Sequence, residues 1–116
     1  MKETILSIAK WHEETFPDAT LEGQLEKYEE ENEEFAGSDF KDLSELADMF
    51  IVACGIVRFD MCQAMNALNN VFFWRDIKGF DTLKLCMAVE QKMEKNRKRV
   101  WAKTQKGVYH HTNKEK

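Results

Sequence analysis

The change from acidic to apolar sequence between residues 24 and 57 constrains this chain most. An acid-rich segment, QLEKYEEENEEF, is followed after a short break by Glu45 and Asp48, and then by nine uncharged residues, MFIVACGIV. A helix that is apolar all round is buried, so Asp48 stands where an unpaired carboxylate would be costly. The pattern predicts a buried helix whose entrance carries acidic groups that need a partner.

Helical geometry sorts the side chains of the acidic segment, because successive residues advance by about 100° around a helix. One stripe is apolar and predicts the core face: Leu21, Leu25, Tyr28 and Phe35. One flank of that stripe carries Glu30, Glu31 and Glu34, with Lys27 among them. In the following helix, Glu45 and Asp48 are three residues apart and share a face. Two neighbouring helices therefore present four or five carboxylates to each other.

Such carboxylates repel one another, which raises their pKa values unless a cation lies between them. Hard divalent cations prefer oxygen ligands, and Mg²⁺ usually keeps waters and a substrate phosphate among its ligands. The sequence therefore indicates a metal site. The alternative is that the glutamates form a solvated helix face and Asp48 is partly exposed.

Composition indicates one soluble domain over residues 1–116. Hydrophobic residues make up 43% of the chain and charged residues 33%, which is typical of a globular rather than a disordered protein. The net charge of −4 does not favour binding to nucleic acid. No apolar run reaches membrane-spanning length and no signal-peptide core is present, so we expect a cytoplasmic protein without a membrane segment. Three cysteines without CxxC spacing predict reduced core thiols: Cys54, Cys62 and Cys86.

The fold class predicted is all-α, a helical bundle of four to five helices, because no alternating pattern of period two is sustained. We expect helices over 3–15, 20–36, 40–58 and 82–100. Residues 59–78 predict a further amphipathic helix or a continuation of the third. In the last helix Leu83, Leu85, Val89 and Met93 are expected to pack inward. A polar tail follows from about residue 104.

Two further groups of residues are candidates for ligand binding. Lys92, Asn96 and Arg99 share one face of the last helix, and such a stripe complements phosphate oxygens. The alternative is a solubilising helix whose bases favour the negative end of its dipole. Near the end of the first helix an aromatic group is suited either to stacking on a nucleobase or to core packing: Trp11, His12 and Phe16.

The stretch KYEEENEEF followed by ELAD resembles the EExxE…ExxD signature of the MazG-like family, among the all-α nucleoside triphosphate pyrophosphatases. Downstream, KMEKNRKR resembles the KxxxNxxK/R element of that superfamily, and WHEETFPDAT resembles the lead-in of small MazG-like proteins. Two departures stand out. The interval from Glu34 to Glu45 is short, and that from Asp48 to Lys92 is longer by about one helix, which the segment 59–78 accounts for.

The resemblance implies Mg²⁺-dependent hydrolysis of a nucleoside or deoxynucleoside triphosphate to the monophosphate and pyrophosphate, with Mn²⁺ as a possible substitute. The implied metal ligands are Glu31, Glu34, Glu45 and Asp48. Glu30 would be a supporting ligand or help to deprotonate the attacking water, and Glu31 shares the catalytic role. Substrate would be bound by Lys92, Asn96, Arg99, Trp11, His12 and Phe16. Family members form homodimers or homotetramers, so we expect a homo-oligomer.

Two other function classes were weighed against this one. A non-catalytic module would dimerise and bind a partner through its acidic face, without metal. A carboxylate-bridged di-iron bundle would need Glu-x-x-His pairs, and no histidine occurs between residues 13 and 109. The sequence therefore excludes the di-iron bundle and leaves the interaction module as the alternative to the enzyme.

Overall fold

In a computed structural model, the described part of the protein folds into five α-helices. The structure describes residues 2–99 in full and the backbone of 101–103 and 109–111. The helices are α1 (Ile5–Thr15), α2 (Leu21–Gly37), α3 (Leu43–Ile56), α4 (Met61–Lys78) and α5 (Thr82–Lys98). Two short strands, β1 (Trp101–Lys103) and β2 (Tyr109–His111), pair antiparallel after the helices. The all-α prediction is confirmed, although this small hairpin was not expected. The remainder of the predicted polar tail, 104–108 and 112–116, lies outside the described residues.

Helix α3 is the centre of the bundle, and each of the other four helices packs against it. Its side chains are buried all round, as the run MFIVACGIV predicts. Leu46, Met49, Cys54 and Ile56 are fully buried. Phe35 from α2, Ile8 from α1 and Met93 from α5 complete the core around it. The carboxylates at the beginning of α3 are therefore held at the edge of the largest apolar cluster in the described chain.

The connection between α2 and α3 differs from the prediction. The third helix was expected to begin at about residue 40, but α3 begins at Leu43 with Asp42 as its N-cap. Asp39 and Phe40 adopt positive φ angles of 63° and 57°, which excludes both from a right-handed helix. The Phe40 ring stacks on Trp74 with centroids 4.4 Å apart. This tight turn joins α2 to α3 across five residues.

Residues 59–78 form a separate helix, since Asp60 caps α4 by accepting a hydrogen bond from the Gln63 amide at 3.0 Å. Its buried face consists of small residues, Ala64, Ala67 and Val71. Met61 and Met65, which mark the expected amphipathic stripe, are 57% and 55% exposed. Small side chains let α4 lie close to α3, so the larger ones remain outside.

Two predictions about which side chains are buried are wrong. Leu83 was expected to pack inward but is 69% exposed, whereas Leu85, Val89 and Met93 are buried. Cys62 and Cys86 are exposed, and only Cys54 is a core thiol. Burial raises the pKa of Cys54 to about 12.

Across the described residues, no helix is both long and apolar enough to cross a membrane.

Candidate metal centre

Three carboxylates from two helices meet at the beginning of α3. Glu31 projects from α2, and Glu45 and Asp48 project from the first two turns of α3. One oxygen of each lies within 4.8 Å of the others. The i, i+3 spacing on α3 and the short turn before it bring these groups together. The structure thus unites three of the four residues predicted as metal ligands.

The carboxylates are sheltered from water and incompletely hydrogen-bonded. Glu31 is 7% exposed, although it is a glutamate in a chain of modest size. Its Oε1 atom and the Oε2 atom of Glu45 are buried and have no hydrogen-bond partner. A buried acceptor without a partner costs free energy. A cation placed among these oxygens would satisfy both atoms.

Burial and mutual repulsion raise the pKa values of all three groups. Burial is the largest cause for Glu31, whose pKa rises to about 7, and the nearby Asp48 charge adds to it. The pKa of Glu45 also rises to about 7, chiefly through burial and then through the charge of Asp48. Burial raises the pKa of Asp48 as well, although the Lys92 charge opposes the rise. The positive charges near the site therefore do not fully offset the burial and mutual repulsion of the three carboxylates.

The fourth predicted ligand, Glu34, lies at the exposed side of the cluster. Its carboxylate contacts Glu45 closely enough to raise the pKa of that group, but it does not join the tight set of three. Glu30 lies further out, with 42% of its side chain exposed and its Oε1 atom 3.8 Å from the Lys27 ammonium. Both glutamates are thus near the centre without contributing to its buried part.

Two lysines partly compensate the acidic charge. Lys92 on α5 donates a hydrogen bond to Asp48 Oδ2 at 3.1 Å. Lys27 on α2 lies 3.5 Å from Glu31 Oε2. Neither lysine contacts the orphaned oxygens of Glu31 and Glu45. The sequence indicated Lys27 beside the glutamates and Lys92 on a basic stripe, but not that both would pair with the same cluster.

A groove of about 520 Å³ adjoins this cluster between α5 and the beginning of α3. It is lined by Ser44, Ala88, Gln91, Lys92, Glu94, Lys95 and Lys98. The Lys98 ammonium lies 3.8 Å from the carboxylate of Glu94, another lining residue, and is partly neutralised by it. The remaining two ammonium groups and the hydroxyl are suited to phosphate oxygens. Four of these lining residues were not among the predicted substrate-binding residues: Ser44, Gln91, Lys95 and Lys98. The sequence did not indicate this groove, because only the fold brings α5 beside Ser44.

The other two members of the basic stripe do not line this groove. Asn96 is 8% exposed, and its Oδ1 atom accepts a hydrogen bond from Arg99 at 3.2 Å. Arg99 follows the last turn of α5, and its Nε atom is buried without a partner. Lys92 alone of the three thus borders both the groove and the carboxylates.

The aromatic group at the end of α1 belongs to the core. Trp11, His12 and Phe16 are 8%, 5% and 4% exposed, and their rings pack edge to face. No face of these rings is open for stacking on a base, so the structure favours core packing over the proposed base pocket. Because these three side chains are buried within the single chain, they are not accessible to a substrate, contrary to their assignment as substrate-binding residues.

His12 forms a buried polar network instead. Its Nε2 atom lies 2.9 Å from Gln24 Oε1, and its Nδ1 atom lies 3.2 Å from the Arg58 guanidinium. Because arginine only donates, Nδ1 accepts and Nε2–H donates to Gln24, so the ring is neutral. Burial lowers the pKa of His12 to about 4. Gln24 in turn donates to the Val52 carbonyl of α3 at 3.0 Å, so the network ties α1 and α2 to the central helix.

The donor set at the carboxylate centre fits a hard divalent cation. Every ligand offered is a carboxylate oxygen, which suits Mg²⁺ or Mn²⁺ and not a thiolate-preferring metal. The two orphaned oxygens supply unused ligand positions. Mg²⁺ is usually bound through one or two carboxylates together with waters and substrate phosphates, so three clustered carboxylates offer enough ligands for it.

No family model, no curated protein and no solved structure matches this chain in the comparisons made with them.

Proposed function

We propose that the chain hydrolyses a nucleoside or deoxynucleoside triphosphate to the monophosphate and pyrophosphate, with Mg²⁺ as cofactor. The observation that carries the proposal is the convergence of Glu31, Glu45 and Asp48 within 4.8 Å, with two buried oxygens lacking partners. The adjoining lysine groove supports it, since a triphosphate needs both a cation and positive side chains. The motif resemblance EExxE…ExxD leads to the same reaction.

In this proposal Glu31, Glu45 and Asp48 hold the cation, and Glu34 joins them from the exposed side. When bound, a divalent cation neutralises the phosphates and lowers the pKa of coordinated water. Lys92 and Lys95 in the groove bind phosphate oxygens, which offsets the charge that develops on the leaving pyrophosphate. Asn96 and Arg99 hydrogen-bond each other at 3.2 Å, and their role in binding phosphate or sugar stays a prediction.

The reaction proposed is attack of water on the α-phosphorus. The new bond joins the water oxygen to that phosphorus, and the bridging oxygen to the β-phosphorus leaves with pyrophosphate. Glu30 is the residue we assign to receive the water proton, because Lys27 holds its carboxylate beside Glu31 without placing it in the buried set. The carboxylates of the buried set then remain ionised for the cation.

The experiment that tests the function is pyrophosphate release from a panel of common, deoxy- and modified triphosphates with Mg²⁺ present and absent. We expect release from at least one nucleotide, falling by about a hundredfold or more in Glu31→Gln and Asp48→Asn, as is usual when ligands of a catalytic cation are lost. Glu33→Gln is the matched control, because Glu33 is exposed on the same helix. Absence of release above the Asp48→Asn background across the panel would refute the enzyme.

Thermal unfolding at increasing Mg²⁺ concentrations distinguishes the enzyme from the non-catalytic module. A module that binds a partner through its acidic face predicts no dependence of thermal stability on Mg²⁺. The enzyme predicts an unfolding midpoint that rises with Mg²⁺ concentration, because the cation binds the folded state alone. We expect that rise, and its loss in Asp48→Asn.

A further inference from the structure

The two lysines beside the carboxylates differ in what surrounds them. Lys27 lies on the same helix as its partners, with its Nζ atom 3.8 Å from Glu30 and 3.5 Å from Glu31. Lys92 reaches Asp48 from another helix at 3.1 Å, and its side chain also lines the groove. Lys27 is not among the residues that line the groove. Lys27 thus contacts only carboxylates in this site, whereas Lys92 lies between a carboxylate and the groove.

The charge balance of the site favours a bound cation. Five carboxylates carry negative charge when ionised: Glu30, Glu31, Glu34, Glu45 and Asp48. Lys27 and Lys92 return two positive charges, so an excess of negative charge remains for Mg²⁺ or Mn²⁺. A cation bound by Asp48 would compete with the Lys92 ammonium for the same carboxylate.

We propose that Lys92 is an exchangeable counter-ion of this site and that Lys27 is a fixed one. Without metal, Lys92 neutralises Asp48. When a divalent cation binds Asp48, the Lys92 ammonium turns into the groove and binds phosphate there, since an ammonium has three donors on a flexible stem. The inference rests on the proposed function, and it makes metal binding the step that prepares the phosphate site.

The exchange predicts opposite effects of Lys92 on two ligands. Lys92 weakens cation binding, because the two compete for Asp48, but it strengthens phosphate binding once the cation is in place. Lys27 weakens cation binding through its charge and contributes nothing to phosphate binding. A lysine that merely stabilised the fold would weaken both ligands when removed, so the two roles are separable by measurement.

The first experiment measures Mn²⁺ alone, by calorimetry and by the loss of the free-ion electron paramagnetic resonance signal at pH 8.5. The variants are Lys27→Met and Lys92→Met, which keep the apolar stem, and the control is Lys84→Met, which is exposed on α5. We expect both site variants to bind Mn²⁺ about three- to tenfold more tightly than the parent. Unchanged or weaker Mn²⁺ binding in Lys92→Met overturns the exchange.

The second experiment measures inorganic pyrophosphate binding to the Mn²⁺-loaded protein by calorimetry. We expect Lys92→Met to bind pyrophosphate about tenfold or more weakly, the loss of a charge-assisted contact, and Lys27→Met to bind it within about twofold of the parent. Lys92→Arg keeps the charge and should retain most of the pyrophosphate affinity. Parent-like binding by Lys92→Met, or an equal loss in Lys27→Met, contradicts the assignment.

These measurements need no turnover, so they separate this inference from the proposed function. If Mn²⁺ and pyrophosphate bind as expected but no triphosphate is hydrolysed, the counter-ion exchange stands and the enzyme does not. If hydrolysis occurs while Lys92→Met keeps the parent affinities for both ligands, the enzyme stands and the exchange does not.

Discussion

Glu31 is both a proposed metal ligand and a residue whose burial as a carboxylate destabilises the fold. Its side chain is 9% exposed, and burial is the main cause that raises its pKa to about 7. The ordinary carboxyl pKa of 4.5 applies in the unfolded chain. The folded state therefore binds the proton more tightly, and ionisation of Glu31 destabilises the metal-free fold.

The sign of the pH dependence follows from that shift. The stabilising contribution of protonated Glu31 is complete below pH 4.5 and is lost as the pH rises through about 7. In chelator-treated protein we expect Glu31→Gln to raise the free energy of unfolding by about 1 to 3 kcal/mol at pH 8 and by little at pH 4.5. Urea unfolding at both values measures the difference. A destabilised Glu31→Gln at pH 8 would contradict the shift.

His12 gives a second prediction at the residue scale. Burial lowers its pKa to about 4, and its Nδ1 atom accepts from Arg58. Because a base with a lowered folded pKa stabilises the protein above its unfolded pKa of 6.5, that contribution is lost as the pH falls towards 4. We expect nitrogen-detected NMR to show the neutral Nε2–H form at pH 6. Titration of this ring near pH 6.5 would show that the network is open.

At the scale of elements, helix α3 packs closely against its neighbours because it has a glycine where they cross. A Cβ atom on Gly55 would lie 2.6 Å from Gln24 Nε2 and 2.9 Å from His12 Cδ2. From the sequence, Gly55 is either tolerated inside the helix or marks close packing, and these distances favour close packing. Because Gly55 has no side chain, the polar network of His12 and Gln24 fits directly against α3, and both features belong to one contact between α1, α2 and α3.

We expect Gly55→Ala to destabilise the protein by about 1 to 3 kcal/mol, because the methyl group forces the Gln24 amide and the His12 ring apart. Gly37→Ala is the matched control. Its Cβ would meet nothing within 4 Å, so the same substitution should be neutral or slightly stabilising there. Thermal and denaturant unfolding measure both, and equal effects at the two positions would show that crowding at Gly55 is absent.

The turn between α2 and α3 determines how the acidic side chains of the two helices face each other. Asp39 and Phe40 take up the left-handed conformation, and the Phe40 ring is held between Trp74 and Phe35. This conformation costs free energy in residues other than glycine, which aromatic packing offsets. The turn is therefore short enough to place Glu31 beside Glu45 and Asp48.

For the whole molecule, the described surface leaves large apolar side chains in water on two consecutive helices. On α4 these are Met61, Met65, Phe73 and Ile77, and on α5 they are Leu83 and Met87. Exposed apolar side chains that form a contiguous patch are typical of a contact surface. The expectation of a homo-oligomer stays a prediction.

Sedimentation velocity tests that expectation. If α4 and α5 form the contact between copies, Met65→Lys combined with Met87→Lys should shift the protein towards monomer, because two charges would be buried in the interface. Leu6→Lys is the control, since Leu6 is 74% exposed and lies on α1 rather than on either of these helices. A parent protein that sediments as a monomer at all concentrations would remove the prediction.

The sequence by itself determined the helical class, four of the helices and the acidic side chains that α2 and α3 turn towards each other, but it left open whether residues 59–78 form a separate helix. Those properties follow from the period of the apolar residues and from local spacing, such as the three residues between Glu45 and Asp48. The cap of α3 was not predictable in this way, because the left-handed turn at Asp39 depends on Trp74, distant in sequence.

Only the tertiary structure decided which side chains meet across helices. It buried the aromatic group of α1, left Leu83 and Met65 in water, and set Lys92 against Asp48. These outcomes depend on which faces of α1, α4 and α5 contact α3, and periodicity within one helix does not specify that choice. Burial, and with it the pKa of Glu31, is a property of the assembled bundle because it depends on atoms from several helices at once.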